Sequence, residues 1–172
     1  MTAADAPRRL VLLRHAQAGD EARTDHARTL TERGRRQAGR VGTWLAASGV
    51  VPDQALVSDA ARTVETETLV RGAAGWAVHA TRALYEAGPE ALLDEVRALA
   101  APETRTLLVV GHNPTIAQLV LLLDDGTGTD ATDVLRHGFP PSSAAVLEYE
   151  GPWERLAFGT ARMVDTRLPA DG

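Results

Sequence analysis

Short apolar runs alternate with stretches of helical periodicity along most of this chain. Residues 9–13, 54–58 and 106–110 are runs of five mainly apolar residues, short enough for buried strands, and 76–80 repeats the pattern with weaker composition. Between them, Leu30, Gly34, Ala38, Val41 and Leu45 recur at helical spacing, with Thr29 or Thr31 as cap and Gly49 as stop. A second helix is predicted over 60–70, capped by Ser58 or Asp59. Pro89 opens a third with the stripe Leu92, Leu93, Val96 and Leu99, and a fourth runs over 115–123 behind Pro114. Residues 124–141, rich in Gly, Thr, Asp and Pro, read as a long surface loop. The alternating runs 143–149 and 153–158 flank Glu150-Gly151-Pro152 as a hairpin would.

Strands alternating with helices predict an α/β fold: a three-layer sandwich with a mostly parallel central sheet, helices on both faces and an antiparallel edge hairpin. A length of 172 residues suits a single domain, taken as residues 8–168 behind a flexible tail over 1–7. Ligands of such sheets bind beyond the carboxyl ends of the strands. Arg14-His15, Ser58 to Arg62, Glu86 and His112-Asn113 all follow strand candidates, so polar groups distant in sequence are expected to meet at one edge.

Composition narrows the chemistry. No cysteine is present, which excludes disulfides, thiol catalysis and thiolate metal sites and fits a reducing compartment. A net charge of −5 argues against broad nucleic-acid binding, and no run is long enough for a signal or membrane span, so a cytoplasmic protein is expected. All 18 basic residues are arginine. Any anion site must therefore be built from guanidinium forks or histidine, and two arginines with two histidines best suit a tetrahedral oxyanion such as phosphate. A neutral imidazole beside such a site can act as a nucleophile toward phosphorus.

The same residues carry a family resemblance. Leu12-Leu13-Arg14-His15-Ala16 resembles the Arg-His-Gly signature of the histidine phosphatase superfamily, with alanine in place of glycine. Leu30-Thr31-Glu32-Arg33-Gly34 with Gln37-Ala38 resembles its first helix, and Ser58-Asp59-Ala60-Ala61-Arg62-Thr63 followed by Thr66 its second arginine segment. Gly111-His112-Asn113 resembles its second catalytic histidine. The resemblance implies that His15 accepts the phosphoryl group, that Arg14, Arg62 and His112 bind and neutralise it with Asn113 alongside, and that no metal or cofactor takes part. Leu84-Tyr85-Glu86 resembles the segment carrying the proton donor of the mutase branch, making Glu86 the candidate acid ahead of Glu90 and Asp20.

The short chain most resembles the compact SixA-type branch, which implies a phosphorylated substrate, specifically phosphohistidine in a protein. The alternatives are a phosphatase of small phosphate monoesters and a non-catalytic module that binds phosphorylated ligands. If His15 works neutral and His112 protonated, the rate profile should be bell-shaped. Arg136-His137-Gly138 is a literal Arg-His-Gly but has no strand feeding it. The acidic residues 124–133 lack the ligand spacing of a calcium loop, and His26 and His79 lack metal-partner spacing. Trp44, Trp76 and Trp153 read as packing residues.

Overall fold

Alternation of side chains across a pleated strand decides this architecture. The structure, a computed structural model, describes residues 6–128, 134, 136 and 138–169. Its strands are β1 (Arg8–Arg14), β2 (Gln54–Ser58), β3 (Ala77–Thr81), β4 (Thr106–Gly111), β5 (Ala144–Tyr149) and β6 (Ala161–Arg167). Its helices are α1 (Glu32–Ala47), α2 (Ala61–Arg71), α3 (Pro89–Leu99) and α4 (Thr115–Leu123). The strands form one sheet in the order β3-β2-β4-β1-β5-β6. β1 to β4 pair in parallel, while β5 pairs antiparallel with both β1 and β6.

Leu10 and Leu12 of β1, with Leu107 and Val109 of β4, face the core that Leu92, Val96, Ile116 and Leu119 close from α3 and α4. Val11 and Leu13, with Leu108 and Val110, face the opposite core under Ala38, Val41 and Leu45 of α1 and Val70 of α2. Both faces are thus apolar, which is why β1 and β4 read as unbroken apolar runs rather than alternating ones. The predicted sandwich, parallel sheet and antiparallel edge are all present.

Two local expectations change. Residues 153–158 are not the outer strand of the hairpin. Trp153–Arg155 is a short 3-10 turn, and the edge strand is β6. Trp153 and Leu156 are both fully buried, a spacing of three that a strand cannot bury on one face, and the Trp153 indole N–H donates to the Thr104 carbonyl at 2.9 Å. The cap of α1 is Thr31, whose hydroxyl accepts from the Gly34 N–H at 3.0 Å. At α2, by contrast, neither predicted polar residue caps; Ala60 stands at that position with no side-chain bond. The expected tail and the loop 124–141 lie outside the described residues at 1–5, 129–133, 135 and 137, which include His137 and Asp133.

Gly34 allows α1 to press onto the segment after β1. A Cβ there would collide with the Gln17 carbonyl oxygen, and the Thr31 N–H donates to that same carbonyl at 3.0 Å. Gly34→Ala should therefore cost about 2–3 kcal/mol, the range for overpacking against backbone, and lower the melting temperature by about 5–10 °C in a thermal unfolding scan. An unchanged melting temperature would contradict so close a contact.

Candidate functional site

Four parallel strands deliver their carboxyl ends to one edge, and the site is assembled there. His15 follows the end of β1 and His112 the end of β4, which are neighbours in register up to Arg14 and Gly111. The His15 N–H donates to the Gly111 carbonyl at 3.0 Å, and the two imidazole centroids stand 5.3 Å apart. Arg62, in the first turn of α2, inserts between them. Its Nε donates to His15 Nε2 and its Nη2 to His112 Nδ1, each at 3.3 Å. The Thr66 hydroxyl fixes this spacing: it donates to the Arg62 carbonyl at 2.6 Å and accepts from the Ala16 N–H at 3.0 Å, joining the end of β1 to α2.

The hydrogen bonds also settle the tautomers. His15 Nδ1 lies 2.8 Å from the Ala16 carbonyl, which can only accept, so Nδ1 carries the proton and Nε2 presents its lone pair. His112 Nδ1 accepts from Arg62, so its Nε2–H donates to Ser58 Oγ at 2.8 Å. Arg14 donates through Nη1 to the Phe139 carbonyl at 3.1 Å, while its buried Nε has no partner among the described residues. A buried guanidinium donor without an acceptor has the chemistry of an anion site awaiting its ligand.

Burial dominates the electrostatics. Desolvation first, then the Arg62 and Arg14 charges, push the His15 pKa down from 6.5 to about 4, against the opposing bond to the Ala16 carbonyl. His112 is pushed down to about 3, again mainly by desolvation, then by His15 and Arg62, with Asp25 opposing. Both imidazoles are therefore neutral at pH 7 in the unliganded site.

Asp25 is the residue that sequence reasoning missed. It lies in a 3-10 turn, Asp25–Ala27, between β1 and α1. Arg62 Nη1 donates to its carbonyl at 2.7 Å and Nη2 to Oδ2 at 2.9 Å. The Tyr85 hydroxyl donates to the same Oδ2 at 2.6 Å, and Arg28 Nη1 to Oδ1 at 2.9 Å. These bonds, that from Tyr85 first, hold the Asp25 carboxyl well below the usual carboxylate range, so it is ionised. The next residue, His26, bonds Asp59 Oδ1 through Nε2 at 2.7 Å, and its ring meets Tyr85 edge-on at 5.0 Å.

The other expected residues divide. Asn113 turns its amide N–H groups to the Gly138 and Phe139 carbonyls, at 3.1 and 2.9 Å, tying down the segment that also receives Arg14. Its donor faces backbone, not the imidazoles. Glu86 lines a cleft of about 200 Å³ together with His112 and Tyr85, but is exposed and has no hydrogen bond or ion pair among the described residues. Asp20 pairs with Arg28 at 2.9 Å while 96% exposed, and Glu90 and His79 are exposed on α3 and β3. The larger surface clefts near Asp125, Arg162 and Arg105 lie away from both imidazoles.

Comparisons with known proteins agree with this geometry. The sequence profile described as histidine phosphatase superfamily (branch 1) matches residues 10–92. A protein of Nakamurella multipartitia assigned as the phosphohistidine phosphatase SixA is 32% identical in sequence and superposes with a TM-score of 0.80, covering 96% of this chain and 98% of that one. The corresponding assignment from Agrobacterium tumefaciens is 28% identical, with a TM-score of 0.75 and coverage of 95% and 99%. A Mycobacterium leprae protein is 36% identical over 146 residues, 84% of this chain and 89% of its own length.

A buried histidine whose folded pKa lies below its unfolded value of 6.5 contributes stability that is complete above that value and is lost as pH falls through about 4 to 3. Imidazole nitrogen NMR should show His15 still neutral at pH 5.5, with Nδ1 protonated and a midpoint near 4. The melting temperature should fall more steeply between pH 6.5 and 4 than in a His15→Ala variant. A His15 midpoint at or above 6.5 would contradict the desolvated site.

Proposed function

Since this chain belongs to the histidine phosphatase superfamily and is a phosphatase, we propose that it transfers a phosphoryl group from phosphohistidine in a protein to His15 Nε2 and then to water. The observation that carries this reading is the His15 tautomer: Nδ1–H is held by the Ala16 carbonyl, and the Nε2 lone pair faces the guanidinium of Arg62.

In the first step Nε2 attacks phosphorus, the N–P bond to His15 forms, and the bond from phosphorus to the leaving group breaks. The leaving nitrogen or oxygen takes a proton as it departs. Arg62 exchanges its two imidazole contacts for two phosphoryl oxygens without losing Asp25, because Nε and Nη2 face inward while Nη1 and the second Nη2 hydrogen face Asp25. Arg14 Nε gains the acceptor it lacks. Dianionic phosphate beside His112 would raise its pKa, so that a protonated His112 belongs to the liganded state. In the second step water attacks the phosphohistidine, and inorganic phosphate leaves.

Phosphohistidine is favoured as substrate by the names of the two SixA relatives, each matched over nearly its full length. A phosphoramidate also needs less acid assistance than an ester, which suits a site where Glu86 contacts neither imidazole.

The test is a labelled phosphoenzyme. Brief incubation with labelled substrate should give an acid-labile, alkali-stable phosphoprotein, absent in His15→Ala and present in His137→Ala. Arg62→Ala should lower kcat/KM by about a hundred- to a thousandfold, the usual effect of removing one donor to the developing charge. Efficient turnover of small monoesters with none of a phosphohistidine protein would remove the substrate assignment. Oxyanion binding without any phosphoenzyme would leave only a ligand-binding module.

A further inference from the structure

Departure of the leaving group needs a proton, and Glu86, the acid expected from the sequence, bonds neither imidazole. Asp25 touches Arg62 but is held ionised by three donors. The Tyr85 hydroxyl spends its proton on Asp25, which pushes its pKa up. Asp20 is engaged by Arg28 and almost wholly exposed. Glu86 has no hydrogen bond or ion pair among the described residues and lines a cleft together with Tyr85 and His112.

His26 differs from each of these. Asp25, whose carbonyl and carboxylate both bond Arg62, fixes the turn that carries it over the site. Its ring stands edge-on to Tyr85 at 5.0 Å, and Tyr85 stands edge-on to His112 at 5.5 Å. His26 thus stands one aromatic ring out from the imidazole pair, linked to His112 through Tyr85. Its Nε2 lies 2.7 Å from Asp59 Oδ1. A carboxylate only accepts, so Nε2 carries a proton, and the exchangeable position is Nδ1, which has no partner among the described residues. A carboxylate oriented behind one ring nitrogen, with the other nitrogen open, is the arrangement that fits an imidazole for general acid–base work.

We propose that His26, oriented by Asp59, is the catalytic acid and base of this phosphatase. This rests on the reading that His15 is the nucleophile. In the first step protonated Nδ1 gives its proton to the leaving oxygen or nitrogen as that bond to phosphorus breaks. In the second, neutral Nδ1 takes a proton from the attacking water as the N–P bond to His15 breaks, and the acid form is restored. Asp59 is a positioning residue that acts through His26.

The dependence on leaving group tests this in the full chain. An alkyl phosphate expels a strongly basic alkoxide and needs the proton, whereas p-nitrophenyl phosphate expels a stable phenolate. His26→Gln should lower kcat/KM for the alkyl ester by about a hundredfold, within the usual range for general acid catalysis, and for the aryl ester only a few-fold. It should also give a nitrophenolate burst, because the phosphorylated His15 now waits for water. Asp59→Asn should show the same split at smaller size, and Glu86→Gln should show none. Equal losses on both esters, or no loss on either, overturn the proposal, and so does a split that appears in Glu86→Gln. Should His26→Gln fail to fold, the Asp59→Asn split decides alone. If wild-type protein gives no phosphoenzyme from a phosphohistidine protein or from either ester, the His15 reading has failed instead.

Discussion

A guanidinium buried to 6% exposure must find an anion, and the way Arg62 meets that requirement organises the site. Asp25 supplies the charge from one side through both backbone and carboxylate, leaving the other edge of the fork to the two imidazoles. Asp25 is itself kept ionised at the surface by Arg28 and Tyr85. The resting cup therefore combines the Arg62 cation compensated by Asp25, the Arg14 guanidinium and two uncharged rings, with no counter-charge standing between the histidines.

The neutrality of those rings follows from the same burial. A histidine in water would be partly protonated just below neutrality, but here desolvation and the flanking arginines both oppose a second and third positive charge. The open lone pair of His15 Nε2 is thus a property of the pocket before any ligand arrives. The same causes act on His112, where Asp25 alone among the neighbouring charges favours the protonated form.

Much of this was legible from residue order. The apolar runs fixed β1, β2 and β4, the parallel arrangement followed from the intervening helices, and the rule that ligands sit beyond strand ends brought Arg14, His15, Arg62 and His112 to one edge. What escaped has a common cause. Asp25 meets Arg62 across 37 positions and His26 meets Asp59 across 33, and no periodicity relates such pairs. The missed cap of α2 belongs with them: Ser58 bonds His112 and Asp59 bonds His26, so both polar side chains that would have finished the helix are directed into the site instead. The displaced outer strand has a different origin, since Trp153 and Leu156 are drawn into the core as a turn.

β1 is an interior strand, bonded in parallel to β4 on one side and antiparallel to β5 on the other. The antiparallel partner extends past its end, where the Ser142 N–H lies 3.0 Å from the His15 carbonyl. The backbone of His15 is thus enclosed on both flanks, and its amide can exchange its hydrogen with solvent only when the sheet itself opens. Local fraying, which loosens most loops that follow a strand, is denied to the backbone that carries His15.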